Sequence, residues 1–149
     1  MKKIILFLSL ILCAFSQELS INDKINNFSL ANQFDEKKTI DSKINTIIVS
    51  FEKDTGKEVN EFLEQKTSDF LREHHAVFIA NISGMPMIIT KMFALPKMKN
   101  YKHEILLIYD ENDDRFKAQE GMSTLYRLEN GVIKSIEFIT KDDLEKVFL

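Results

Sequence analysis

A chain of 149 residues with a formal charge of −3 and 44% hydrophobic residues holds enough apolar material for one core and too little length for two. Its acidic balance argues against phosphate backbones and anionic bilayer surfaces as partners, which sets nucleic acid aside. The single cysteine, Cys13, excludes an internal disulfide and any paired-thiol chemistry within one chain.

The chain opens on Met1-Lys2-Lys3, continues through an apolar run over residues 4–15 broken only by Ser9, and sets the small residues Ala14 and Ser16 ahead of Gln17. This is the layout of a secretory signal peptide over residues 1–16. The apolar run falls short of the roughly 20 residues that cross a bilayer. A lipoprotein signal centred on Cys13 is disfavoured too, since Leu12 stands where a small residue is required. Cleavage after Ser16 would leave one domain, residues 17–149, with a charge of −5 and no cysteine, and would place it in the periplasm.

Residues 46–51 (TIIVSF) form a β-branched apolar run of the kind that is buried on both faces of a sheet. Thr55 and Glu58 then have the spacing of a capping box. Val59, Phe62, Leu63, Phe70 and Leu71 recur at helical spacing, with charged residues between them. Residues 76–82 (AVFIANI) are a second buried strand, and the βαβ unit so formed predicts parallel pairing. Pro86 suits the first turn of another helix, which Pro96 ends or kinks. Residues 105–109 (ILLIY) give a third buried strand. Two further strands, 124–128 and 132–139, flank the turn Glu129-Asn130-Gly131, a strong hairpin signal. Thr140 then caps a terminal helix carrying Leu144, Val147 and Phe148. Together these elements specify an α/β fold: a three-layer sandwich with a mixed central sheet flanked by helices.

This order of elements resembles that of thioredoxin-like domains, and the text of the sequence does so as well. Residues 123–133 (STLYRLENGVI) resemble the family's hairpin, and 141–144 (KDDL) the helix after it. Residues 27–34 (NFSLANQF) and 108–112 (IYDEN) resemble stretches of peroxiredoxin-like and TlpA-like members. In size and plan the chain is similar to uncharacterised periplasmic proteins of the YtfJ type. In active members a strand ending in Phe leads into Cys-x-x-Cys at the start of a helix; setting Phe51 on that Phe puts Gly56 and Val59 at the cysteine positions. A peroxidatic cysteine would fall near Asn60. The family's cis-proline falls at Ser123, where a trans peptide is expected, because a cis bond before a non-proline residue costs about 2.5–4 kcal/mol. The resemblance thus implies a degenerate active-site edge, made of Asp54, Thr55, Gly56, Val59 and Ser123, with no thiol for the helix N-terminus to activate.

Other constellations carry less. Asp54-Thr55-Gly56 spells the aspartic protease tripeptide, but Glu52, Lys53, Lys57 and Glu58 surround it in place of an apolar loop. Lys57 after Gly56 lacks the glycine-rich stretch of a phosphate loop, and no G-x-G-x-x-G occurs. Asp110, Asn112 and Asp114 alternate like calcium ligands, yet Arg115 stands where a glycine must turn the chain and Gly121 where a bidentate Glu belongs. Met85, Met87, Met92 and Met98, with His103 and the pair His74-His75, form a soft and imidazole ligand set suited to copper. The Sco-type copper site of thioredoxin-like relatives, by contrast, uses two cysteines. Methionines among Ile88, Ile89, Phe93 and Leu95 also fill cores or greasy contact surfaces.

The expectation is an exported, non-catalytic binding or accessory protein that uses residues 54–58 and 84–95 as its contact edge, without a cofactor. The alternatives are a copper carrier, with Met85, Met87, Met92 and His103 as ligands, and a thiol-independent enzyme built on His74, His75 or His103 with an acidic neighbour.

Overall fold

A computed structural model describes residues 17–149; the expected leader lies outside the described residues. Seven strands, β1 (Phe28–Asn32), β2 (Lys37–Ile40), β3 (Thr46–Ser50), β4 (Ala76–Asn81), β5 (Leu106–Ile108), β6 (Ser123–Glu129) and β7 (Val132–Ile139), form one sheet in the order β2-β1-β5-β4-β3-β6-β7. β3, β4 and β5 run parallel, while β6 and β7 on one side and β1 and β2 on the other pair antiparallel. The sheet is therefore mixed, as expected, and its three parallel strands are the three apolar runs of the sequence.

β3 is buried along its whole length because its neighbours cover both edges and two cores cover both faces. Ile48, Phe78, Leu107 and Leu125 point to one face; Ile47, Val49, Ile79, Leu106 and Tyr126 point to the other. The first face carries the helices. It takes Val59, Phe62 and Leu63 from α1 (Lys53–Glu64), Leu71 from α2 (Phe70–Glu73), and Leu144 and Val147 from α5 (Leu144–Val147). Leu95, Met98 and Tyr101 pack there too. The second face is covered by extended and irregular chain, with Leu19, Ile25, Phe28, Ile44 and Phe116 over the strands. Its layer is thus made from chain without helix.

Several boundaries differ from the sequence reading, each for a local reason. α1 begins at Lys53 with Glu52 at its N-cap, so the expected Thr55–Glu58 capping box does not form. Thr55 is buried inside the first turn, and its hydroxyl donates to the Glu52 carbonyl at 3.1 Å. The start is set by Glu52, whose carboxylate oxygens each accept the Gly121 N–H at 3.2 Å. Phe70 and Leu71 do not continue α1: the helix ends at Glu64, and Thr67-Ser68-Asp69 intervene before α2. Such side chains compete for backbone groups and favour turns over helix interiors.

The segment after β4 consists of α3 (Met87–Ile89), a π turn (Thr90–Ala94) and α4 (Leu95–Met98). The Leu95 N–H bonds the Thr90 carbonyl, five residues back. This widening lies directly before Pro96, which cannot donate to a regular helical ladder. A hairpin of β1 and β2, which the sequence pattern did not single out, turns on the Asn32 carboxamide oxygen, acceptor of the Phe34 and Glu36 N–H groups at 2.9 and 3.0 Å. The other hairpin is the expected one, with Asn130 and Gly131 at φ 49° and 80°, the paired positive values of a type I′ turn. Thr140 starts the terminal helical turn, and the Asp143 carboxylate accepts its N–H at 2.9 Å. The peptide before Ser123 is trans, as are all peptides among the described residues.

Candidate functional site

A cleft of about 700 Å³ opens where β3 ends and α1 begins. One wall is Ser50, Phe51, Glu52 and Gly56. The floor is Phe78, Ala80, Ile105 and Tyr101, and the far wall is Ile82, Met85, Ile89, Phe93, Ala94 and Met98. A sheet that delivers strand ends to one edge is a common way of building such a concavity, and its volume lies in the roughly 300–1,000 Å³ range of small-molecule sites.

The degenerate edge read from the sequence divides between this cleft and the protein interior. Gly56 lines the cleft. Thr55 and Val59 are buried, whereas Asp54 is an exposed residue in the first turn of α1, a place that suits a carboxylate. Ser123 is buried and shares a 2.8 Å hydrogen bond with Ser50 across the β3–β6 pair. The described residues contain no cysteine, so none stands at Gly56, Val59 or Asn60.

The segment that supplies the far wall also carries apolar side chains in water. Met87, Ile88, Met92 and Phe93 are 51, 65, 62 and 64% exposed. Thr90 is buried, with its N–H donating to the Pro86 carbonyl at 3.0 Å. Apolar side chains gathered in water are candidate contact residues. Around the mouth stand Lys53, Lys57 and Lys97. Lys57 pairs with Glu61 at 3.6 Å, while neither Lys53 nor Lys97 has an acidic partner within salt-bridge distance among the described residues. The sequence reading missed these lysines; the i, i+4 pair Lys53 and Lys57 was a signal, but Lys97 joins them only through folding.

The copper candidates do not share one cleft. Met85 and Met98 line the large one, Met87 lines a smaller one beside Asp110 and Tyr109, and Met92 and His103 line neither. Among the described residues no three His, Cys, Asp or Glu side chains are gathered as a metal set. Asp110, the first residue of the calcium-like series, accepts the N–H of Asn112 at 2.9 Å, and Asp113 holds Arg115 at 2.8 Å. These contacts account for the loop without an ion.

Of the three histidines, His75 is exposed with φ 49°, and His74 stacks on Phe70, its Nδ1 2.8 Å from the Phe70 carbonyl. His103 is buried between Tyr101, at 5.2 Å in a stacked pair, and Phe78. Its Nδ1 lies 3.4 Å from Glu64 Oε1, too poorly aligned for a hydrogen bond. Burial pulls its pKa below the ordinary value, Glu64 opposes this, and Lys102 adds to it. An imidazole beside a carboxylate is thus present, but His103 lines neither of the two clefts described.

No protein-family model matches the sequence, and no curated protein does either. Solved structures do match. Peroxidoxin BcpB from Mycobacterium tuberculosis superposes with a TM-score of 0.56 at 11% identity over 87% of this chain and 94% of that one. The thioredoxin domain of a thiol-disulfide oxidoreductase from Bacteroides vulgatus gives 0.51 at 13% over 89% and 100%. The C-terminal domain of an uncharacterized protein from Bacteroides fragilis gives 0.56 at 10% over 87% and 96%. The fold is thioredoxin-like. At such identities the likeness concerns the backbone alone.

Proposed function

We propose that the chain is an exported, non-catalytic binding or accessory protein of the periplasm, whose contact edge is the cleft between the first turn of α1 and the segment 84–98. The observation that carries this reading is a set of apolar side chains, Met87, Ile88, Met92 and Phe93, each more than half in water, on the segment whose Met85, Ile89, Phe93 and Met98 line the cleft. Apolar area left in water is costly unless something covers it, at about 25 cal/mol per Å². The basic start and apolar run of residues 1–16 support export, and the similarity in plan to periplasmic proteins of the YtfJ type fits that location.

The test has two arms. Protein purified from its native periplasm is expected to have the mass of a chain cut after Ser16, and to leave insulin and hydroperoxide unreduced. Bait carrying Met87→Asp with Met92→Asp is expected to lose whatever the unaltered bait retains from periplasm. Turnover of either substrate, or an identical set of retained molecules, overturns the reading. Copper in the natively purified protein would replace it with the metal-carrier alternative.

A further inference from the structure

We infer that the cleft is a site for a small amphiphilic anion, an unbranched alkyl chain ending in a carboxylate. The inference rests on the binding reading above and names the ligand class. Three features of one cavity point to it. The interior is mostly apolar: Phe78, Ile82, Met85, Ile89, Phe93 and Met98 line it, and its buried hydroxyl, Ser50, is already bonded to Ser123 at 2.8 Å. Two of these side chains, Ile89 and Phe93, are themselves well exposed, so an alkyl tail laid along the cleft would remove existing apolar surface from water.

The mouth adds charge. Lys53, Lys57 and Lys97 line it with one carboxylate, Glu52, whose oxygens are turned to the Gly121 N–H; Lys57 is paired with Glu61 at 3.6 Å, while Lys53 and Lys97 have no acidic partner within salt-bridge distance among the described residues. In a chain with net charge −3, this local excess of cations is opposite to the global balance, and it favours an anionic head over a neutral or cationic one. Lys53 and Lys57 also stand on the first and second turns of α1, whose N-terminal end carries partial positive charge. Flexible methionines at Met85 and Met98 suit a tail without fixed shape.

The experiment compares four probes of graded chemistry, each below its micelle concentration: dodecanoate, octanoate, dodecanol and dodecyltrimethylammonium. Titration calorimetry gives affinity, and methyl-labelled methionine spectra report the place. Dodecanoate is expected to bind and to move the Met85 and Met98 methyl signals, with affinity falling about two- to fourfold for each methylene removed on going to octanoate. Dodecanol and the cation are expected to bind about two- to fivefold more weakly. The exposed double substitution Lys53→Gln with Lys97→Gln should bring dodecanoate down to the level of dodecanol while leaving dodecanol unchanged.

Equal binding of dodecanoate and the cation, insensitivity to the two lysine changes, or binding that leaves Met85 and Met98 unmoved would each overturn the inference. If no amphiphile binds while the Met87 and Met92 substitutions still abolish retention of a partner, the ligand class falls and the binding reading stands. If the protein reduces insulin, the binding reading falls whatever the probes do.

Discussion

His103 should make the stability of this domain depend on pH in a window where little else does. Its ring is buried against Tyr101 and Phe78, and burial lowers its pKa below the ordinary value of 6.5, with Glu64 acting against the shift and Lys102 with it. The unfolded chain therefore binds the proton more readily than the folded one. Above pH 6.5 both states are neutral at this site and the domain keeps its full stability; below 6.5 the unfolded state takes up a proton that the folded state refuses. Stability then falls with decreasing pH, at a limiting slope of about 1.4 kcal/mol per pH unit for one proton. The loss by pH 5 is bounded at about 2 kcal/mol, or about 1 M in the urea midpoint for an m-value near 2 kcal/mol/M. Glu36 and Asp143, whose pKa values are lowered from 4.5 and 3.8, act only in more acid solution. His103→Phe keeps an aromatic ring in the stack and should flatten the profile between about pH 7.5 and 5. Glu64→Gln removes the group that favours the charged ring and should deepen the loss at pH 5. Urea titrations at a series of pH values decide the matter: a flat wild-type profile, or an equal slope in His103→Phe, refutes the argument.

Two further measurements probe the frame of the cleft. Ser123→Ala leaves the buried Ser50 hydroxyl without the partner it has at 2.8 Å and should cost about 1–3 kcal/mol in urea unfolding. Adding Ser50→Ala should recover most of that loss, and strict additivity of the two would show that the hydroxyls are not coupled. At the hairpin, Gly131→Ala should cost about 1–2 kcal/mol, since φ is 80° there while an added Cβ would meet nothing nearer than Ser42 Cβ at 3.6 Å. Gly84→Ala has open space and no such torsion, and an equal loss at both positions would refute a torsional cause.

The parts of the fold that could be read in advance are those where side-chain pattern and tertiary environment demand the same thing. β3, β4 and β5 are buried on both faces, and continuous apolar runs announce that. Asn130-Gly131 announces its turn because both residues need positive φ. The β1–β2 hairpin was not legible in the same way. FSLAN and KKTI are short and only partly buried, KKTI at the sheet edge, and their turn depends on the carboxamide of Asn32 accepting two backbone N–H groups. The start of α1 was misplaced because a local capping pattern competed with a contact from far along the chain, Gly121 to Glu52, and the distant contact prevailed.

The side-chain arrangement around the cleft was not legible in the sequence. Residues 84–95 (GMPMIITKMFAL) are apolar on every side, so periodicity cannot tell which side chains face the sheet and which face water; the π turn before Pro96 settles that by rotating the chain part-way along. Lys97 reaches the mouth from forty residues beyond Lys57, and no spacing rule foretells it. The glycine at position 56 belongs to a different category. A Cβ at Gly56 would meet Ser50 Cβ at 3.8 Å, an ordinary contact, so the backbone at this place has room for a side chain and does not require glycine. The turn from β3 into α1 is held by strand burial and by Glu52, neither of which involves sulfur. A scaffold maintained by strand burial and a distant backbone contact leaves the residues of its edge free to vary, and the cleft at this edge is lined mainly by apolar side chains.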